Sequence, residues 1–326
     1  MRIKNPRLSI GLPVYNGERY VGEAIESFLA QTMGDFEMVI CDNASTDATE
    51  QICRGYAEHD RRIRYHRNPH NIGANGNFNR VAHLAIAEYF KWAAADDRCA
   101  PTYLAACLEQ LEKDKTSALC HSLTGLIDAR GRDVISEMPP RQLSYIAPID
   151  PPRHLDSLSP VGRLYQVLLR TRWCFEIFGV VRRTMLLATG LQGNYYGSDK
   201  VVLASLALMG PFHEVPEVLF YRRCHPLQST SLISAQARQE WSCPTVPKTV
   251  FIPQWSCIRG YAHAVQSIPM FPFERAACRL LLARYILQFR KIGGLAESVL
   301  AGLYADPAPV LSRPSAVAAD RNHAIS

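Results

Sequence analysis

The sequence predicts an α/β fold in which helices flank a mixed, mainly parallel β-sheet. Two observations carry this prediction: short apolar runs alternate with helical patterns through the first hundred residues, and the connections between them are short. Strand–helix–strand units of this kind form right-handed crossovers between parallel strands. Parallel sheets bind their ligands at the carboxyl ends of the strands. Functional residues are therefore expected in the loops that follow the strands.

Each element of the first half follows from its own pattern. The predicted strands are continuous apolar runs that end in turn-forming residues, as Leu8–Leu12 does at Pro13. The predicted helices carry apolar side chains at helical spacing, and Ser45, Thr46 or Asp47 is the expected cap of the second helix. The predicted strands are Leu8–Leu12, Phe36–Cys41, Ile63–His66 and Tyr89–Ala94, and the helices are Gly22–Gln31, Asp47–Glu58 and Asn77–Ala87.

The second half has a looser pattern. The strands predicted there are Ala118–Leu126, Phe175–Val181 and Val215–Tyr221, and the helices are Lys200–Leu208 and Arg275–Ile292. The proline-rich stretch Met138–Pro160 is predicted to be a long surface loop or a lid. We expect a main domain over residues 1–230, a helical C-terminal extension over residues 231–304 and a disordered tail over residues 305–326.

The bulk composition excludes several classes of protein. With 326 residues, 48% of them hydrophobic and 20% charged, the chain is long enough for a sizeable core and unlike a disordered protein. Its ten cysteines include no Cys-x-x-Cys pair, and Cys53, His66 and His70 only half-match a zinc finger. The cysteines are therefore expected to be free thiols, and no nucleic-acid partner is predicted.

The sequence also yields an expectation for location. The first six residues are basic and polar and precede a strand directly, so no secretory signal is expected. The longest apolar stretch, Val201–Met209, is far shorter than the roughly 20 residues of a spanning helix. The predicted location is the cytoplasm, and peripheral association with the inner face of the cell membrane is the alternative. The predicted helix Arg275–Lys291 has a basic edge beside a leucine-rich face. It would either dock on an anionic membrane surface or pack against the domain as an ordinary helix.

Carboxylates follow two of the predicted strands. Asp42 ends the second strand, Asp96 and Asp97 follow the fourth, and Pro13–Gly17 follows the first. These loops are neighbours at one edge of a parallel sheet, so the three carboxylates are expected to face one crevice. Adjacent carboxylates repel each other unless a divalent cation or hydrogen-bond donors lie between them. The pair indicates a Mg²⁺ or Mn²⁺ site or, alternatively, a solvated turn before a helix.

Five segments in order resemble one known family. They are Ser9–Gly17 (SIGLPVYNG), Ala24–Thr32 (AIESFLAQT), Phe36–Asp47 (FEMVICDNASTD), Asn71–Gly73 with Asn79, and Ala95–Asp97. Together they resemble family 2 glycosyltransferases of the bacterial type. The resemblance implies the GT-A fold, which is the Rossmann-like fold of nucleotide-diphospho-sugar transferases. The predicted helical C-terminal extension would follow this domain.

The resemblance also implies the roles of individual residues. Pro13, Tyr15 and Glu18 would line the pocket for the nucleotide base and ribose, and Asn71 would belong to the same donor site. Asp42 would accept the imide N–H of a pyrimidine base. That contact favours a UDP- or TDP-sugar as donor.

The Asp-x-Asp region of the family is matched by Asp96 and Asp97. The resemblance places Asp96 near the ribose and makes Asp97 a ligand of a divalent cation, Mn²⁺ or Mg²⁺. Ala94 stands where the fuller motif has a further Asp. This departure leaves the ligand set open, while two carboxylates still suffice for a cation shared with a diphosphate.

The catalytic base is expected in the second half. Inversion by a single displacement needs one carboxylate that takes the proton of the acceptor hydroxyl. The family commonly supplies it from a Glu-Asp pair that opens a helix, and Ser198-Asp199 matches that pair with Ser in place of Glu. Asp199 is therefore the predicted catalytic residue, and a plain N-cap is the alternative.

A third match follows the last predicted strand of the main domain. Family members often carry an Arg-x-His element here, and this chain has Arg222, Arg223 and His225. His225 would bind the metal or a phosphate oxygen. The two arginines would neutralise the leaving diphosphate.

These assignments predict an inverting glycosyltransferase of the hexosyltransferase type. It would move a sugar from a nucleotide-sugar donor to a saccharide or lipid-linked acceptor, and cell-surface glycan synthesis is the expected setting. Two rivals remain: a sugar-1-phosphate nucleotidyltransferase, although the loop Pro13–Gly17 lacks its basic residues, and a non-catalytic nucleotide-sugar-binding protein. The chain has no Gly-x-Gly-x-x-Gly after a strand and no Walker loop, which disfavours other nucleotide-binding classes.

Overall fold

A computed structural model describes residues 5–134, 154–171, 173–226, 228–232, 234–244 and 253–288. In the first half of the chain, strands and helices alternate as predicted. The strands there are β1 (Leu8–Val14), β2 (Phe36–Asp42), β3 (Ile63–Arg67), β4 (Tyr89–Trp92) and β5 (Arg98–Cys99). The helices are α1 (Val21–Leu29), α2 (Thr49–His59), α3 (Ala74–Leu84) and α4 (Tyr103–Lys113).

The second half is more helical. Its strands are β6 (Leu119–Ile127), β7 (Val180–Arg182) and β8 (Phe212–Arg223). Its helices are α5 (Pro160–Tyr165), α6 (Arg183–Ala188), α7 (Ser198–Met209), α8 (Ala235–Ser242), α9 (Pro253–Ser267) and α10 (Pro272–Ile286). A π-helical turn (Gln166–Arg170) and two 3-10 turns (Phe175–Phe178 and Ser229–Ser231) complete the described elements.

The eight described strands form one sheet in the order β3-β2-β1-β4-β7-β6-β8-β5. Strands β1 to β4 are mutually parallel, and β6 is parallel to β8. Strand β7 runs antiparallel to both its neighbours, and β5 is antiparallel to β8 at the edge. The prediction of a mixed, mainly parallel sheet flanked by helices is confirmed, and the C-terminal helices are present.

The sheet is buried on both faces, which explains the continuous apolar runs. All seven residues of β1 are buried, and its even-numbered side chains, such as Ile10 and Leu12, pack with Ile25 of α1. A second core lies on the opposite face, where Phe90 packs with Val202 of α7. Successive side chains of a strand point to opposite faces, so one strand serves both cores.

Three predicted elements differ from the structure. The predicted strand Phe175–Val181 is a 3-10 turn followed by the short strand β7, because a short apolar run does not distinguish the two. The third helix begins and ends three residues earlier than predicted, at Ala74 and Leu84. The strand predicted over Val215–Tyr221 is longer in the structure, where β8 runs from Phe212 to Arg223.

The C-terminal helices pack against the main domain. Helix α9 contacts α7, and α10 contacts α5 and α9. The domain boundaries themselves stay predictions. Most of the predicted loop Met138–Pro160, the end of the predicted helix Arg275–Ile292 and the predicted tail lie outside the described residues. Within the described part of the chain, no helix is long and apolar enough to cross a membrane.

Candidate active site

A cavity of about 810 Å³ opens at the carboxyl ends of β1 and β4, beside the N-terminus of α7 and the end of β8. This volume suits a small-molecule ligand. Nine of the eleven residues that the sequence analysis assigned to the site line it: Pro13, Tyr15, Asn71, Asp96, Asp97, Asp199, Arg222, Arg223 and His225. Glu18 and Asp42 lie elsewhere.

Hydrogen bonds connect the loops after β1 and β2. The backbone N–H of Asn16 donates to Ser45 Oγ (2.9 Å), and the N–H of Gly17 donates to Thr49 Oγ1 (2.8 Å). Each loop contains a non-glycine residue at positive φ, Asn16 at 49° and Ala44 at 62°. Such backbone is held only where its surroundings fix it. The hydrogen bonds between the loops supply that constraint and fix the floor of the cavity.

Buried asparagine side chains brace the strand ends behind this floor. Asn43 Nδ2 donates to Asn71 Oδ1 (2.8 Å), and Asn68 Nδ2 donates to Asn43 Oδ1 (2.8 Å). Asn77 Nδ2 donates to the carbonyl oxygen of Cys41 (2.7 Å), and its Oδ1 accepts from Asn68 (3.1 Å). An amide both donates and accepts, so it can satisfy buried backbone groups where strands end. This explains why the matching segments are rich in asparagine.

Gly73 allows the two walls of the cavity to meet. Its φ is +81°, and a Cβ atom there would lie 2.6 Å from both the Ser242 carbonyl oxygen and Pro244 Cδ. Any larger residue would push away the end of α8, which contacts α3. The segment Asn71–Gly73 thus joins the first half of the chain to the second.

Asn75 holds the loop that precedes α7. Its Nδ2 donates to the carbonyl oxygens of Gly193 (2.7 Å) and Tyr195 (3.0 Å) and to Ser198 Oγ (3.1 Å). Gly197 then takes the N-cap position with a left-handed backbone, φ +85°. The start of α7 is therefore positioned by a side chain from α3.

Asp199 lies in the first turn of α7 and lines the cavity. Its Oδ1 accepts from the backbone N–H of Lys200 (2.9 Å). The alternative reading of Asp199 as an N-cap is wrong, because Gly197 occupies that position. Burial raises the pKa of the Asp199 carboxyl, and hydrogen bonds and the charge of Lys200 offset part of the rise. A carboxylate with a raised pKa binds protons more readily than an exposed one.

Asp96 and Asp97, in the loop after β4, both line the cavity but have different hydrogen-bond partners. Asp96 Oδ2 lies 2.9 Å from Nε2 of His225, and Asp97 Oδ1 accepts from the backbone N–H of Arg223 (2.8 Å). Asp97 is 6% exposed. Its burial, with the charge of Asp96, raises the pKa of Asp97 to about 8, against the opposing charge of Arg222. The site therefore favours a bound positive charge beside this carboxylate.

The donor set fits a hard divalent cation that also binds phosphate. Within the described residues, no group of three or more His, Cys, Asp and Glu side chains is arranged to enclose a metal. Mg²⁺ and Mn²⁺ bind nucleotides through one or two carboxylates, phosphate oxygens and water, and Asp96 and Asp97 supply such carboxylates. Nδ1 of His225 is buried without a hydrogen-bond partner, and it lies in the same wall.

Arg222 and Arg223 have different positions. Arg222 lies over the ring of Phe175, 5.2 Å from its centroid, and faces the cavity. Arg223 is 1% exposed, and its guanidinium donates to the Asp96 carbonyl oxygen (2.8 Å) and to Glu23 Oε2 (2.6 Å). A further bond runs to the carbonyl oxygen of Asp128. The prediction that Arg223 binds the donor disagrees with this geometry, which makes it a brace of the Asp96–Asp97 loop.

Asp42 lies behind the cavity wall, fully buried. Its Oδ1 accepts from the backbone N–H of Ser45 (2.8 Å). Its Oδ2 accepts from the Tyr65 hydroxyl (2.7 Å) and the Arg67 guanidinium (2.6 Å). Both carboxylate oxygens are therefore occupied, and the predicted contact with a pyrimidine base would require one of these donors to move.

Glu18 is exposed and serves the loop rather than the cavity. Its Oε2 accepts from the backbone N–H of Ala48 (2.9 Å), and its own N–H donates to Asp47 Oδ2 (3.1 Å). The predicted place of Glu18 in the base and ribose pocket is not found in the structure. The side chain instead adds to the bonds between the loops after β1 and β2.

A buried lysine that was not predicted from the sequence lies next to the site. Lys91 of β4 is fully buried, and burial lowers its pKa. Its Nζ donates to the carbonyl oxygen of Phe178, which also accepts from the Tyr103 hydroxyl (3.0 Å). These bonds hold the 3-10 turn that lines the cavity. The sequence signal that could have pointed to Lys91 is a single charged residue inside the otherwise uncharged strand Tyr89–Trp92.

The sequence analysis also missed the aromatic residues of the cavity. Trp173 stacks on Phe175 with 6.2 Å between ring centroids, and Tyr196 meets Trp241 edge-on at 6.5 Å. All four side chains line the cavity. Their sequence positions are far apart and follow no common spacing, so only the fold could bring them together.

Comparison with known proteins now identifies the chain. Residues 9–163 match the family model described as glycosyl transferase family 2. The chain belongs to this family. The family 2 match includes the loops of Pro13, Asn71 and Asp96–Asp97 but ends before Asp199, Arg222 and His225. The assignments in the second half therefore rest on the geometry of the cavity.

Two curated relatives align with different lengths of this family 2 chain. An uncharacterized glycosyltransferase of Methanocaldococcus jannaschii is 30% identical over 142 residues, 43% of this chain and 49% of that protein. An uncharacterized glycosyltransferase of Rickettsia felis is 32% identical over 246 residues, 72% of this chain and 37% of that protein. The chain thus spans less than half the length of these relatives.

Solved structures share the GT-A fold with this family 2 chain. Staphylococcus aureus TarS 1–349 in complex with UDP-GlcNAc has a TM-score of 0.59 and 15% identity, over 90% of this chain and 81% of that one. The Pyrobaculum calidifontis mannosyltransferase PcManGT, in complex with GDP-Man and Mn²⁺, has a TM-score of 0.51 and 15% identity. That match covers 92% of this chain and 88% of the other. At this identity the likeness confirms the fold alone.

Proposed function

We propose that the protein is an inverting glycosyltransferase that moves a sugar from a nucleotide-diphosphate donor to a hydroxyl of a saccharide or glycolipid acceptor. One observation carries the proposal. The carboxylate pair Asp96–Asp97 and the separate carboxylate Asp199 line the same cavity, on walls contributed by different halves of the chain. A transferase of this type needs both a site for the leaving diphosphate and a base for the acceptor.

The donor would lie along the wall formed by the loops after β1 and β4. Arg222 and His225 line the cavity beside this wall, and the Arg222 guanidinium offers positive charge to the diphosphate. Asp96 and Asp97 would hold a Mn²⁺ or Mg²⁺ ion, which supplies charge stabilisation for the departing diphosphate. PcManGT, which shares the fold, was solved with GDP-Man and Mn²⁺, and TarS with UDP-GlcNAc. These complexes support a nucleotide-sugar donor and a divalent cation here.

Asp199 would act as the base. Its carboxylate takes the proton of the acceptor hydroxyl while that oxygen bonds to the anomeric carbon. The bond from the anomeric carbon to the diphosphate breaks, and its electron pair leaves with the nucleoside diphosphate. Because attack and departure occur on opposite faces, the anomeric centre inverts. The raised pKa of Asp199 strengthens it as a proton acceptor.

The resemblance favours a pyrimidine donor, UDP or TDP, through Asp42. The occupied carboxylate of Asp42 makes the choice of base an experimental question. A GDP-sugar is therefore included beside UDP- and TDP-sugars in the test. The base that stabilises the protein most identifies the donor class.

A thermal-shift screen tests the proposal. The probes are UDP, TDP and GDP with their sugar conjugates, with and without Mn²⁺, on the wild type and Asp97→Ala. We expect a nucleotide-dependent rise in the midpoint of unfolding that requires both Mn²⁺ and Asp97. Release of nucleoside diphosphate from the same donor then measures turnover. Absence of any nucleotide-dependent shift would contradict the proposal, and binding without turnover would favour a nucleotide-sugar-binding protein.

A further inference from the structure

The cavity has a rim that the proposed donor does not account for. Tyr196 lies three residues before Asp199, and Trp241 is the penultimate residue of α8. Their rings meet at 69° with 6.5 Å between centroids, and both line the cavity. We call Tyr196 and Trp241 the aromatic rim.

The aromatic rim is fixed in place by its surroundings. The Arg238 guanidinium lies 5.4 Å from the centroid of the Tyr196 ring. Gln239 Nε2 donates to the carbonyl oxygen of Asn194 (3.1 Å), which ties α8 to the loop that carries Tyr196. The side-chain-free Gly73 lets the end of α8 approach α3. The two rings are therefore positioned before any ligand arrives, which lowers the entropy cost of binding.

Trp241 remains 41% exposed in spite of this framework. Aromatic rings that remain exposed where they line a cavity are typical of ligand-binding surfaces. Glu240 and Ser242 flank Trp241 and line the same cavity. The rim therefore offers flat apolar faces bordered by groups that donate and accept hydrogen bonds.

A pyranose ring has the complementary surface. Its C–H bonds form apolar faces, and its hydroxyls project around the edge. An acyl chain would leave the carboxylates and amides of this wall without partners, which carries a desolvation cost. The proposed partners of the nucleotide, Asp96, Asp97 and Arg222, are other residues of the cavity. The rim thus matches a sugar ring better than a lipid tail or a second nucleotide.

We infer that the aromatic rim is the binding subsite for a sugar ring of the acceptor, with the hydroxyl to be glycosylated directed towards Asp199. The inference rests on the proposed function and narrows it, because it makes the acceptor a saccharide at the point of contact. The rim lies outside residues 9–163, which match the family model. The family model therefore does not describe the rim.

Saturation-transfer NMR on the full chain tests the inference without a known acceptor. The probes are chitotetraose, cellotetraose and maltotetraose, followed by calorimetric titration of the tightest one. We expect at least one to bind the wild type, with the strongest transfer at the ring C–H protons. Trp241→Ala is expected to weaken its affinity about tenfold, the size of a moderate hot-spot loss.

Two graded variants and a matched control separate ring stacking from damage to the fold. Trp241→Phe and Tyr196→Phe keep an aromatic face and are expected to bind more tightly than the corresponding alanine variants. Trp255 is the control, since it is 47% exposed on α9 and does not line the cavity. Trp255→Ala is expected to keep the wild-type affinity within about twofold.

The outcomes distinguish the inference from the proposed function. No saccharide binding by the wild type, or equal binding by Trp241→Ala, would overturn the inference. The same holds if Trp255→Ala loses as much affinity as Trp241→Ala. A nucleotide-dependent thermal shift without saccharide binding would support the proposed donor site and contradict the assignment of the rim as a saccharide subsite. Saccharide binding through Trp241 without any nucleotide effect would support the rim and contradict the transferase proposal.

Discussion

The two walls of the cavity are built in different ways. The proposed donor wall follows β1, β2 and β4, and buried amides such as Asn43 and Asn77 brace it from behind. The proposed acceptor wall follows the start of α7 and the end of α8, where Tyr196 and Trp241 line the cavity. The first wall is fixed by hydrogen bonds between strand ends, and the second by the contacts of α7 and α8 with α3.

This difference agrees with what each wall would have to recognise. A diphosphate and its cation have the same geometry in every donor, so a rigid polar frame suits them. Acceptors differ among glycosyltransferases, and side chains on helices and loops can vary without disturbing the sheet. The family match over residues 9–163 includes the loops after β1, β2 and β4 and ends before Arg222, His225 and the proposed acceptor wall.

The largest expected effect is on turnover at the acceptor wall. Asp199→Asn keeps the shape of the side chain but removes its ability to take a proton. We expect the rate of sugar transfer to fall by about 100- to 10,000-fold, the usual contribution of a general base. The thermal shift by donor and Mn²⁺ should persist. Transfer close to the wild-type rate would show that another group is the base.

A second comparison tests the different positions of the neighbouring arginines. Arg223→Met removes a buried brace, and we expect it to lower the free energy of unfolding by about 3 kcal/mol. Arg222→Met is expected to weaken nucleoside diphosphate binding with little change in stability. Denaturant unfolding and calorimetric titration of both variants provide the measurements. Similar stability losses in the two variants would contradict the assignment of Arg223 as the brace.

The asparagine frame of the donor wall makes a stability prediction. Asn77→Ala removes the hydrogen bond to the Cys41 carbonyl oxygen and one of the two bonds that the Asn68 amide nitrogen donates. We expect a loss of about 2 to 3 kcal/mol in the free energy of unfolding, at about 1 to 1.5 kcal/mol for each buried hydrogen bond. Asn194→Ala, at an exposed position, is the control and should change stability by less than about 0.5 kcal/mol. Equal effects would contradict the bracing role of Asn77.

The smallest expected effect concerns pH. The pKa of Asp97 in the folded state is about 8, well above the roughly 4 of an unfolded chain. The folded state therefore holds a proton that the unfolded state has released, and this carboxyl makes folding less favourable as pH rises from about 4 to about 8. Asp97→Asn removes that penalty.

In EDTA, the unfolding temperature of Asp97→Asn should exceed that of the wild type by a margin that widens between pH 5 and pH 8. A widening of roughly 2–5 °C is expected for a chain of this size. Scanning calorimetry at several pH values measures it. A margin that narrows with rising pH would contradict the raised pKa of Asp97.

Much of the donor wall was predictable because it depends on local signals. Apolar runs that end in Pro13–Gly17 and Asp96–Asp97 locate the strand ends, and the parallel topology brings strand ends together. Asp42 and Glu18 show the limit of this reasoning. Asp42 accepts hydrogen bonds from its own loop and from β3, and Glu18 accepts one from the loop after β2, so neither carboxylate faces the cavity.

The sequence by itself determined the α/β alternation, the mainly parallel sheet, the family resemblance and the loops that contain the candidate donor residues. These features follow from periodicity and from the short range of turn chemistry. Tertiary structure alone decided the direction of Arg223, the burial that shifts the pKa of Asp97, and the meeting of Tyr196 with Trp241. Such features depend on contacts between residues distant in sequence, and those contacts exist only once helices and strands have packed.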